Sequence, residues 1–122
     1  AFSSLKPKGF LDNFYNYNTL TSKEYAYTLK NLYEGSYLTD SSKQYLTDLM
    51  YPTAFDDRIS PYIGAGYTFH HKIGSWDASW HDCGYVIGTD KQVIVCLLSK
   101  ETNYADFTEV AKITGEFINL LF

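Results

Sequence analysis

The run Val93-Ile94-Val95-Cys96-Leu97-Leu98 constrains this chain more than any other stretch. It is continuously apolar and rich in β-formers, so it predicts a strand buried on both faces. Just upstream, Cys83 to Ile87 reads as another strand, with Gly88-Thr89-Asp90-Lys91 turning the chain between the two. A loop of two or four residues sets Cys83 opposite Cys96, within range of a cross-strand disulfide. A loop of three or five residues breaks that register and leaves two free buried thiols.

A third strand precedes these. Apolar and aromatic residues fill Tyr67 to Ile73 and Gly74-Ser75 punctuates the end, predicting an edge-lining strand with Lys72 near its tip. A cation beside a glycine is a good place to receive an anion, because glycine lets a ligand come close to backbone. Ser75 to His81 then reads as a turn or bulged connection.

Helical signals flank the strands. Thr21-Ser22-Lys23-Glu24 is a capping box, after which Ala26, Leu29 and Tyr33 recur on one face beside Tyr25 and Leu32, and Gly35 is expected to supply a left-handed stop. Thr39 or Asp40 opens a second helix with an apolar stripe of Tyr45, Leu46, Leu49 and Met50, closed by Pro52. Thr53 to Gly66 is broken by prolyl, glycyl and charged positions and predicts a loop or one helical turn. Thr102 or Asn103 caps a final helix whose Phe107, Val110, Ala111, Thr114, Phe117, Ile118 and Leu121 form one wide stripe. The order predicts an α+β layer: an antiparallel sheet of at least three strands with a helix pair and a C-terminal helix packed on it. Residues 1–20 show neither helical nor alternating period and read as an irregular lead-in.

At 122 residues the chain fits a single unit. Its 45% hydrophobic and 18% aromatic content excludes disorder, and a net charge of −4 with only 10 Lys+Arg argues against a nucleic-acid partner. No apolar run approaches the roughly 18 residues of a membrane span, and the N-terminus lacks the charged and apolar regions of a signal peptide, so the chain as given reads as soluble. Ala1 reads as an interior cut rather than a natural start.

Few candidate motifs survive inspection. Ser3-Ser4-Leu5-Lys6 matches the S-x-x-K nucleophile signature, but Pro7 and Gly9 deny it a helix. Asp56 and Asp57 are adjacent, so they do not face each other as an acid–base pair and read as a solvated turn. His70 and His71 point to opposite faces of a strand and His81 stands apart, so no metal site is predicted.

The ordered series resembles the C-terminal half of the class A β-lactamase and penicillin-binding-protein family of serine hydrolases. The residues that carry the resemblance are Asn18-Thr19-Leu20-Thr21-Ser22 leading into a helix, the second helix ending at Met50, and Lys72-Ile73-Gly74-Ser75 standing where the family has its K-T-G box. Asp82-Cys83-Gly84-Tyr85-Val86, the strand Val93 to Leu98 and the closing helix follow with family-like spacing. The resemblance implies that Lys72 helps hold a substrate carboxylate, that Gly74 permits close approach of an acyl group, and that the strand edge from Gly74 to Trp76 lends a backbone N–H to an oxyanion hole. Ile73 replaces the usual threonine or serine and removes a hydroxyl, and Ser75 is expected to take over some polar contact. The family's helix-borne nucleophile precedes the box by more sequence than lies before Lys72, so the chain alone is expected to hydrolyse nothing. The resemblance further implies a β-lactam, peptide or other acyl substrate in a complete protein, no cofactor, an extracytoplasmic location, and either a missing N-terminal half or self-association to cover exposed sheet. A non-catalytic binding or assembly module derived from the same fold is the alternative.

Overall fold

The computed structural model describes residues 20–122; the lead-in up to residue 19, with the Ser3 to Lys6 motif, lies outside them. Two helices come first, α1 (Ser22–Glu34) and α2 (Asp40–Met50). A 3₁₀ turn at Ser60–Tyr62 leads into strands β1 (Thr68–Trp76), β2 (Ser79–Ile87) and β3 (Gln92–Leu98), and helix α3 (Tyr104–Asn119) closes the chain. The architecture is α+β, with a three-stranded antiparallel sheet in the order β1-β2-β3.

Local chemistry explains most boundaries. The Thr21 hydroxyl accepts from the Glu24 N–H at 3.2 Å while the Glu24 carboxylate accepts from the Thr21 N–H at 2.9 Å, a complete capping box. Thr39 and Asn103 cap the other two helices through side-chain oxygens. Gly35 ends α1, but with φ −76° and ψ 173° rather than in the left-handed region. Its requirement is space: a Cβ there would stand 2.2 Å from the Asn31 carbonyl oxygen.

The strands depart from expectation in three respects. β1 runs on through Trp76 and β2 begins at Ser79, so the predicted Ser75–His81 connection is a two-residue turn at Asp77-Ala78, with Asp77 at φ 51°. Lys72 is consequently mid-strand, not near the tip. Among the described residues, burial on both faces belongs to the central strand β2, where 82–86 are all buried, whereas β3 lies at the edge of the sheet and is only half-buried. An apolar run therefore marked the sheet without marking its centre.

Side chains alternate across the sheet and build two cores. On one face Phe69 and Val86 meet Ile59, Phe107, Ala111 and Ile118, joining the sheet to the 3₁₀ turn and α3. Gly115 lets these approach, since a Cβ there would stand 2.6 Å from the Tyr62 Cβ. On the other face Cys83 and Tyr85 meet Leu29 of α1 and Met50 of α2. Each fully buried large apolar side chain contributes roughly 1.5–3 kcal/mol. The predicted stripes are only partly used: Tyr45 and Leu49 of α2, and Val110 and Phe117 of α3, are exposed. Among the described residues no helix is long and apolar enough to cross a membrane.

Candidate functional site

The side of the sheet that carries the helix pair also carries a groove of about 680 Å³. Lys72 and Gly74 of β1, His81 and Cys83 of β2 and Leu98 of β3 contribute to it, and Thr21 and Tyr25 at the start of α1 form part of its rim. Register sets this geometry. Lys72 pairs with Cys83, and Cys83 with Cys96, so three residues stand abreast on one face. Cys83 and Cys96 are joined in a disulfide, with Cα atoms 4.1 Å apart, because the four-residue loop 88–91 preserves the pairing.

The groove is cationic. Lys72 and Lys100 line it together with the hydroxyl-bearing Thr21, Ser22, Ser79 and Ser99, and no carboxylate among the described residues does, although Lys100 is paired with Glu101 at 3.4 Å just outside the lining. The Lys72 side chain is exposed, and its ammonium donates to the carbonyl of Ile73. Burial pushes His81 below the ordinary histidine range; the Arg58 charge adds to that, and a backbone hydrogen bond to Trp80 opposes it. Nδ1 of His81 accepts from the Ser99 N–H at 3.4 Å, which fits a neutral ring.

The sequence-predicted residues separate into two groups. Lys72, Ile73 and Gly74 border the groove, although strand alternation puts the Ile73 side chain on the α3 face with that of Ser75. Ser75 projects to the opposite face, where its hydroxyl accepts from Arg58, and Trp76 is 84% exposed at the end of the hairpin. A two-residue hairpin closes on a hydrogen-bonded pair, here Trp76 with Ser79, and such pairs alternate along the strands. The backbone N–H of Ser75 accordingly faces the outer edge of β1, which has no strand partner among the described residues.

Behind the groove, on the α3 face, lies a buried polar cluster that sequence reasoning missed. Asp82 is 0% exposed; one carboxylate oxygen stands 2.6 Å from His71 Nδ1 and the other accepts from the Ile59 N–H at 3.1 Å. His71 stacks on Phe69 with ring centroids 4.3 Å apart, and its Nε2 is 3.3 Å from Asp56. Arg58, 3% exposed, donates through Nη1 to the carbonyls of Gly74 (2.7 Å) and His81, and through Nη2 to the Ser75 hydroxyl. Asp57 accepts from the Tyr104 hydroxyl at 2.7 Å, which raises the phenol above its ordinary range, burial adding to the shift. Asp57 is thus engaged by Tyr104, while the half-exposed Asp56 lies close to His71 without a hydrogen bond to it. The available signal was Asp82 itself: a carboxylate one residue before an apolar strand is buried only if paired. His70 and His71 do take opposite faces, His70 Nδ1 lying 3.0 Å from the Thr47 carbonyl of α2.

The model of the beta-lactamase enzyme family matches residues 8–119. The chain belongs to that family. Among solved structures, PBP-A matches with a TM-score of 0.71 at 22% identity, over 82% of this chain and 38% of that one. A mutant of PBP-A, as its acyl-enzyme complex with penicillin G, matches with a TM-score of 0.70 at 22% identity, over 82% and 39% of the two chains. A β-lactamase from Francisella tularensis gives 0.70 at 15% identity, over 84% and 43%. No curated protein matches. This family member spans about two fifths of the solved structures that it matches.

Proposed function

We propose that this chain is the C-terminal portion of a β-lactamase- or penicillin-binding-protein-like serine hydrolase and that it supplies the anion-binding strand of the site. The observation that carries the reading is the exposed Lys72 ammonium beside Gly74 in a groove that no carboxylate of the described residues lines. In this reading Lys72 holds the substrate carboxylate by charge, Gly74 keeps the strand clear of the acyl group, and the Ser75 N–H at the open edge donates to the oxyanion that forms when a serine attacks the acyl carbonyl. That serine belongs to a part of the protein outside this chain, so the chain alone hydrolyses nothing. The groove is one wall of the site.

Several observations support an incomplete unit. Val110, Ile113, Phe117 and Leu120 form an exposed apolar row along α3, and β3 is an open edge among the described residues. Such surfaces associate. The N-terminal half covers them in the complete protein, and the isolated chain self-associates. The Cys83–Cys96 disulfide supports an extracytoplasmic location, where thiols oxidise.

A second reading is favoured by Ile73, which lacks the hydroxyl that the family places in its box. In that reading the chain is a binding or assembly module that has lost its chemistry. The test is to treat the full-length parent protein with a fluorescent penicillin and map any covalent adduct by mass spectrometry. An adduct on a serine upstream of this chain supports the enzyme; a parent that has no S-x-x-K and does not label supports the module.

A further inference from the structure

We propose that Arg58 is a positioning residue for the edge of β1, holding the Gly74-Ser75 peptide in register for the oxyanion that approaches from outside the sheet. The inference rests on the reading of β1 given above and adds a residue that no motif in the chain marks.

Three acceptors converge on one buried guanidinium. Nη1 donates to the Gly74 carbonyl at 2.7 Å and to the His81 carbonyl across the hairpin, while Nη2 donates to the Ser75 hydroxyl. Gly74 and His81 are register partners, so the cation ties both strands together at the level of the site. A guanidinium does this because its donors are fixed in a plane; a lysine ammonium of similar reach lacks that fork. The side chain is itself fixed, with its Cζ 5.9 Å from the Trp80 ring centroid and 5.7 Å from that of Phe107. Its neighbour Ile59 is held by the Asp82 carboxylate on the same face of the sheet.

The consequence falls on glycine. Gly74 has no side chain to restrain its peptide, and β1 has no strand on its outer side among the described residues. Without Arg58 the Ser75 N–H loses its fixed aim. Lys72, two residues away on the groove side, is not touched by Arg58 and keeps its charge in place.

Two measurements on Arg58→Lys and Arg58→Gln test this. In the full-length parent, the saturable rate of acylation by fluorescent penicillin should fall at least tenfold, while the concentration giving half-saturation changes less than threefold. Ile118→Val, which perturbs the same core from α3 rather than through Arg58 or the hairpin, should leave that rate within threefold. Equal falls in all three variants, or an unchanged rate in a folded Arg58→Gln protein, would overturn the proposal. If the wild-type parent does not label, the enzyme reading has failed, and amide exchange in this chain decides the positioning role. Arg58→Lys should speed exchange at Gly74 and His81 at least tenfold while leaving Phe69 to His71 within twofold. Uniform acceleration along β1 would mean that Arg58 only stabilises the fold.

Discussion

The two faces of the sheet use polar groups in opposite ways. Against α3, Arg58, His71 and Asp82 are buried, Arg58 binding β1 and β2 together and His71 meeting Asp82, with Ile59, Phe69, Val86 and Phe107 in the same layer. Against the helix pair, Lys72, Lys100 and the hydroxyls border an open groove, and the one covalent cross-link of the described residues lies at its base. The buried polar groups are mostly engaged with the protein itself, although Arg58 Nε and His71 Nε2 have no hydrogen-bond partner, whereas the Lys72 ammonium is exposed with no carboxylate among the described residues that line its groove. The comparison teaches that the polar groups of one face hold the strands together while those of the other border open space.

If that division is real, substitutions on the two faces must separate stability from binding. The largest effect is expected for Asp82→Ala, which strands the His71 imidazole and the Ile59 N–H in the core; chemical denaturation should show a loss of about 3–5 kcal/mol. A loss below about 1 kcal/mol would break the comparison at its root. Reducing the Cys83–Cys96 bridge should cost about 3 kcal/mol, the value for a loop of this size, measured by denaturation with and without a thiol reductant. Its sharper outcome is local: amide exchange should rise around Lys72 and Cys83 and stay slow around Phe69 and Val86.

Tyr85, on the groove side, donates its hydroxyl to the Leu29 carbonyl, and burial foremost pushes its pKa up to about 12, with Tyr33, Tyr25 and Glu34 adding to the shift. A raised phenol pKa stabilises the fold below the unfolded value of 10 and loses that contribution as pH rises towards 12. Tyr85→Phe should cost about 1 kcal/mol at neutral pH and flatten the alkaline loss in a pH series of melts. The smallest effect belongs to His81. Its lowered pKa makes the native state bind fewer protons, so stability is retained above pH 6.5 and declines as pH falls below it. His81→Asn should reduce that decline; an unchanged acid limb would show that the groove does not keep this ring neutral.

Local chemistry was legible in the sequence where it is short-ranged. The capping box at Thr21 and Glu24 depends on residues three positions apart, whereas the Cys83–Cys96 pairing followed only for a loop of two or four residues and the last cap stood between Thr102 and Asn103, choices that the structure makes. What could not be read depends on contacts between distant segments. The apolar run in β3 reports its side chains, not whether another strand lies beyond it. Arg58 precedes β1 by a loop with no period, so nothing local indicates that its guanidinium reaches Gly74, Ser75 and His81. For Gly35, composition indicated the right residue for the wrong reason: close approach of Asn31, not a left-handed turn, requires it.

The central claim is that the Lys72 ammonium is the anion-binding group of an acyl-transfer site. Its most direct test is the second-order rate constant for labelling of the full-length parent by fluorescent penicillin, compared between wild type and Lys72→Ala. The account predicts a fall of about a hundredfold, the equivalent of roughly 2.7 kcal/mol, with stability unchanged to within about 0.5 kcal/mol. A Lys72→Ala protein that labels within twofold of wild type would contradict it.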